Sequence, residues 1–128
     1  MAGSHRLMVV DDEKDILAIV MRWLKRWGFA ADGFSDPVAA LGHFQHNSTL
    51  YSIVISDVRM AGMSGIELAN HVLRINPDIK IILMTAYELD QQDLATNLPV
   101  IKLEDILKKP FKLIEVCKAV KKQLAVDC

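Results

Sequence analysis

Five polar residues stand where short apolar runs end: Asp11 and Asp12 after Leu7–Val10, Asp57 after Ile53–Ile55, Thr85 after Ile79–Met84, and Lys109 after Ile106–Leu107. Burial gives no reason to place three acids, a hydroxyl and a lysine there. Carboxylates held together repel, which raises at least one pKa and costs stability. A bound cation removes that repulsion, and an all-oxygen set suits Mg2+, which typically keeps several waters. A metal beside a carboxylate also neutralises charge on transferring phosphoryl oxygens. A lysine adds a second positive point, and a threonine hydroxyl can bond a further oxygen. Together the five residues read as a site for a phosphoryl group on a carboxylate. A loop-capping acid explains one such residue readily and three with a lysine poorly.

The elements that must position these residues follow from an alternation of strand-length apolar runs with segments of helical period. Leu7–Val10 is a buried-strand run that stops at Asp11. Ile16, Ile19, Val20, Trp23, Leu24 and Trp27 recur at i, i+3, i+4, i+7 and make one helix face, with Gly28 at the expected stop. Phe29–Phe34 is a second, weaker strand, interrupted by Ala, Asp and Gly. Ser35-Asp36-Pro37 looks like a cap with proline near the first turn, opening a helix to about Gln45. Ile53–Ile55 is the third strand, and Ser64 is placed to cap a helix through Leu73 that ends before Pro77. Ile79–Met84 is the fourth strand and Ile106–Leu107 a short fifth. Some helix is expected after Glu88, broken at Pro99, and Leu113, Val116, Cys117, Val120 and Leu124 make a closing amphipathic helix. Strands alternating with helices predict an α/β fold, a doubly wound five-stranded parallel sheet with helices on both faces. In such sheets ligands bind beyond the carboxyl ends of the strands, where the five polar residues fall.

The chain has 128 residues, a 52% hydrophobic fraction and a formal net charge of -1, which fits one folded domain over 1–128 with its core at about 7–124. That charge favours neither nucleic acid nor a membrane surface, and the largest basic clusters are Lys108-Lys109 and Lys121-Lys122. No apolar run reaches membrane length, no charged leader precedes an apolar stretch, and two cysteines make no disulfide framework; a reducing cytoplasm is the expected location. His43 and His46 have an i, i+3 spacing without a third ligand and read as a solvated helix end. His71 reads as a surface residue, Trp23 and Trp27 as core packing, and Cys117 as core.

The sequence resembles the response-regulator receiver family from about Leu7 to Leu124. The resemblance rests on Asp11-Asp12-Glu13 after the first strand, Ser56-Asp57-Val58-Arg59-Met60 through Met63-Ser64-Gly65, Met84-Thr85-Ala86, and Lys109-Pro110-Phe111. One of these alone would be weak; all four in order, at strand ends, are specific. The resemblance implies the flavodoxin-like strand order 2-1-3-4-5. It makes Asp57 the phospho-acceptor, with Asp12 ligating Mg2+ directly, Asp11 largely through water, and the Arg59 carbonyl completing the protein ligands. Lys109 would pair with a phosphoryl oxygen, and Thr85 would move toward it. Arg59 and Tyr87 would border the site and restrict the hydrolytic water. The implied donor is a sensor histidine kinase or a phosphotransfer protein, and the implied readout a downstream effector or output domain. The implied state is a monomer or a weak phosphorylation-dependent dimer, with no direct nucleic-acid binding. Such a module transfers and loses its own phosphoryl group and is not an enzyme on an external substrate.

Three positions depart from the family pattern. Ala61 follows Met60 where proline is usual, Ile106 replaces the usual aromatic three residues before Lys109, and Leu98-Pro99-Val100 lies where a Gly-Ala turn is expected. The last two leave room for a second reading, a pseudo-receiver that binds partners without phosphorylation. An aspartate-dependent phosphatase would carry its two acids two residues apart on the first strand, whereas Asp11 and Asp12 are adjacent. A flavodoxin-like electron carrier needs a phosphate-binding loop after that strand, where Asp11-Asp12-Glu13 would repel phosphate.

Overall fold

The computed structural model describes residues 5–86 and 106–124. Its five strands are β1 (Arg6–Val10), β2 (Ala30–Phe34), β3 (Ile53–Asp57), β4 (Lys80–Thr85) and β5 (Ile106–Lys108). They form one parallel sheet in the order β2-β1-β3-β4-β5. The described α-helices are α1 (Lys14–Arg26), α2 (Pro37–Asn47), α3 (Gly65–Ile75) and α4 (Leu113–Leu124). The helix expected after Glu88, with Tyr87 and Leu98-Pro99-Val100, lies outside the described residues.

Successive side chains of a strand point to opposite faces, and here each face has its own core. Met8, Val10, Val54 and Leu83 pack with Phe44, Leu68 and Val72 beneath α2 and α3. Leu7, Val9, Ile53, Ile55 and Met84 pack with Val20, Leu24, Val116 and Val120 beneath α1 and α4. The central strands are buried on both sides, which is why they read as unbroken apolar runs instead of alternating ones.

The helix boundaries have local causes. Asp36 caps α2 by accepting a hydrogen bond from the Val38 N–H at 3.0 Å, and Ser64 caps α3 by accepting from Glu67 N–H at 3.1 Å. Gly28 takes a φ of +92° just past α1, a conformation that favours glycine. Two side chains depart from expectation. Ile19, on the predicted buried stripe, is 47% exposed, because it borders an apolar groove of about 410 Å³ that Ile16, Phe111 and Leu113 also line. His43 is no solvated helix end: its ring lies 5.2 Å from Phe34 and 5.9 Å from Tyr51, while His46 is exposed. Trp23 and Trp27 are half-buried with ring centroids 5.8 Å apart, and Cys117 is buried. No described helix is long and apolar enough to cross a membrane.

Candidate functional site

Because the strands are parallel, their last residues share one edge. The register sets Asp57 beside Met84 and Thr85 beside Lys108. Asp11 leaves β1 with its N–H still bonded to the Phe34 carbonyl of β2 at 3.1 Å. The Lys109 N–H donates to the Thr85 carbonyl at 2.7 Å, which brings the chain beyond β5 back over β4. Sheet hydrogen bonding thus assembles four of the five chemical residues, and Asp12 follows on the loop.

The Lys109 ammonium is the hub. It lies 3.0 Å from Asp11 Oδ2, 2.9 Å from Glu13 Oε1 and 3.4 Å from Asp57 Oδ2. Asp11, Asp57 and Thr85 are buried, whereas Asp12 and Glu13 are exposed. Burial, reinforced by the Asp11 charge, pushes the Asp57 carboxyl up to about 6, against the pull of Lys109 and the Val58 N–H. Burial also works against the Lys109 charge, but hydrogen bonds to Glu13 and Asp11 outweigh it, so its pKa stands above the usual value.

Oxygens of Asp11, Asp12 and Asp57 lie within 4.8 Å of one another. That span is close to the width of one hexacoordinate oxygen shell, about 4 Å for Mg2+, and the donor set is all carboxylate. These residues therefore fit the ion the sequence implied. Both Asp11 oxygens are already engaged, Oδ2 by Lys109 and Oδ1 by the Glu13 N–H at 2.9 Å. Among the described residues, Asp12 Oδ2 accepts a long 3.3 Å bond from the Ala61 N–H. Asp12 is thus the more available direct ligand of the two.

The loop after β3 is fixed by its approach to α3. The Gly65 N–H donates to the Val58 carbonyl at 2.8 Å, and a Cβ at Gly65 would overlap the Asp57 carbonyl oxygen. The Ser56 hydroxyl donates to that same carbonyl at 2.9 Å. The Val58 N–H is shared between the Met84 carbonyl and Asp57 Oδ1, which aims the carboxylate across the sheet edge. In the sequence, Gly65 and Glu13 stood out only as members of their motifs. The signal for Glu13 was present as a third acid in an acidic run. Arg59 is exposed on this loop, and Ile106 is half-buried against the α2–α3 core, where a branched aliphatic fills space without a polar tip.

Known proteins match this arrangement. A family model described as response regulator receiver domain covers residues 7–121. The sensor kinase CckA of Brucella abortus is 32% identical over 124 residues, 97% of this chain but only 13% of CckA. The response regulator receiver protein CpdR of the same species is 26% identical over 119 residues, 93% of this chain and 96% of CpdR. Among solved structures, the response regulator TrrA of Thermotoga maritima, in complex with Mg2+–BeF, superposes with a TM-score of 0.76 at 33% identity, covering 93% of this chain and 98% of its own. With the family model spanning nearly the whole chain and the sheet order agreeing, this chain belongs to the response regulator receiver domain family of two-component signalling.

Proposed function

We propose that this domain is a phosphorylation-dependent switch whose acceptor is Asp57. The observation that carries the reading is the crowding at one sheet edge: a buried Asp57 carboxylate with Lys109 3.4 Å away and Asp11 and Asp12 within reach of a shared ion. An Asp57 oxygen attacks the phosphorus of a phosphohistidine on a sensor kinase or phosphotransfer protein. The P–N bond breaks, and the imidazole leaves with its electron pair. Asp12, Asp57 and the Arg59 carbonyl would hold Mg2+, with Asp11 acting through water, and the ion would supply neutralisation of charge on the transferring oxygens. That TrrA takes Mg2+ with BeF supports a site of this kind.

Lys109 pairs with one phosphoryl oxygen and Thr85 bonds another, so that phosphorylation biases a conformational equilibrium read by an effector or output domain. Transfer and hydrolysis are the domain's own chemistry, with no external substrate. We further infer one receiver unit over 1–128, cytoplasmic, a monomer or weak phosphorylation-dependent dimer, with no direct nucleic-acid contact.

The test is intact mass after incubation with phosphoramidate and Mg2+. The wild type should gain one phosphoryl group, while Asp57→Ala, and the wild type without Mg2+, should gain none. A folded wild type that gains nothing would point to partner binding independent of phosphorylation.

A further inference from the structure

The Lys109 ammonium has three protons to donate, and its hydrogen bonds go to Asp11 and Glu13, not to Asp57. At 3.4 Å the Asp57 contact is an ion pair only. The lysine is therefore turned partly away from the proposed acceptor, toward an acid that belongs to no strand end. Glu13 is the N-cap residue of α1, but its side chain makes no capping bond there. Its backbone N–H is satisfied by Asp11. Holding Lys109 is the hydrogen bond this carboxylate makes among the described residues, and it does so while 58% exposed. The Lys109 side chain is only 9% exposed, so Glu13 reaches in from solvent to a buried cation.

We propose that Glu13 is a positioning residue that competes with the phosphoryl group for Lys109 and so slows phosphorylation of Asp57. This rests on the acceptor reading above. A phosphoryl oxygen on Asp57 draws the Lys109 ammonium toward the acceptor and away from the two carboxylates that hold it. Asp11 is fully buried and tied at both oxygens, whereas Glu13 swings into water at little cost. The Glu13 contact thus stabilises the unphosphorylated state and is already broken in the transition state and the product. Removing it speeds formation of the aspartyl phosphate and leaves its hydrolysis unchanged. A merely structural role would give another pattern, since a loosened site forms the adduct more slowly or loses it faster.

The test uses the full chain with phosphoramidate and Mg2+, following formation by intact mass and decay after donor removal. Glu13→Gln should form the adduct about two- to fivefold faster, the range for an ion pair with one exposed partner, with decay within experimental error of the wild type. Glu13→Asp keeps the charge but withdraws the carboxylate by one methylene, and it should accelerate as Glu13→Gln does. Asp15→Asn, which neutralises an exposed acid of the first α1 turn, should match the wild type. Wild-type formation rates in Glu13→Gln overturn the competition. So does acceleration by Glu13→Gln with none by Glu13→Asp, because charge near an anionic donor then explains the rate. No mass gain in a folded wild type overturns the acceptor reading as well; a gain unaffected by Glu13 overturns only this one.

Discussion

Two part-buried clusters of charged and polar side chains sit on this molecule, and they balance charge differently. At the carboxyl ends of the strands, one lysine serves Asp11, Glu13 and Asp57, with Asp12 close by. At the opposite end of β1, one arginine serves one acid: Arg6 Nε and Nη2 each lie 2.7 Å from an oxygen of Asp32. The Tyr51 hydroxyl completes that second cluster, donating to Asp32 Oδ2 at 2.6 Å. The second cluster is matched in charge and geometry, and the first carries surplus negative charge in a confined space. Arg6 and Tyr51 hold the Asp32 carboxyl below the usual carboxylate range, whereas Asp57 is pushed up to about 6. Side chains in the lower cluster stabilise the chain as it stands. Those in the upper one carry a cost of like-charge crowding that a bound cation would relieve.

The widest separation between the clusters should appear on neutralising one acid in each. Asp57→Asn keeps the shape and removes a buried like charge, while Lys109 retains Asp11 and Glu13. We expect a metal-free gain on the order of 2 kcal/mol at pH 7, read as a higher Tm. Mg2+ should stabilise the wild type more than this variant. The pH profile sharpens the point. Asp57 binds its proton near pH 6 when folded but near 3.8 when unfolded, so the folded chain holds more protons between those values. Stability therefore falls as pH rises from about 4 to about 6, and that component vanishes in Asp57→Asn. A lower Tm for Asp57→Asn at pH 7 would show that the upper cluster is balanced after all.

The opposite sign is expected below. Asp32→Asn breaks a bidentate pair and should cost about 1 kcal/mol, discounted because Arg6 and Asp32 side chains are 40% and 31% exposed. Asp32 has a depressed pKa, so its contribution is present above the unfolded value of 3.8 and is lost as pH falls through and below it. The two clusters thus oppose one another in acid. A denaturation series from pH 7 to 3 on both variants separates them; equal slopes would erase the distinction.

The contrast also shows why one cluster was legible in the sequence and the other was not. Asp11, Asp57, Thr85 and Lys109 each follow an apolar run, so the rule that parallel strands share one end gathers them without knowledge of any contact. The lower cluster has no such marker. Asp32 lies within β2 and read as an interruption that weakened the strand, yet its carboxylate closes the α2 face with Arg6. The partners are 26 residues apart, and no short-range pattern announces that pairing. Glu13 shows the same limit, since its bond to Lys109 spans 96 residues. Ile19 marks a different one: helical period finds a face but not how far the neighbouring helix covers it. His43 was misplaced because two aromatic rings, from β2 and the segment before β3, enclose it.

The smallest expected effect tests whether the lower cluster is only structural. Tyr51 is 4% exposed; burial and the bond to Asp32 push its phenol above the usual value, so it stays a neutral donor at any physiological pH. In Tyr51→Phe the ring still stacks on Phe44, 6.0 Å between centroids, and Asp32 keeps both Arg6 bonds. Only one hydrogen bond to a carboxylate is removed, and its buried donor leaves with it, so no orphan remains. The loss should be about 0.5–1 kcal/mol, toward the low end for bonds to charged groups. Rates of phosphorylation and decay should match the wild type, because nothing in this cluster reaches the sheet edge where Asp57 lies. A Tyr51→Phe variant of normal stability but altered phosphorylation kinetics would mean that the two ends of β1 are coupled, and that charge balance alone does not divide this molecule into its working and supporting parts.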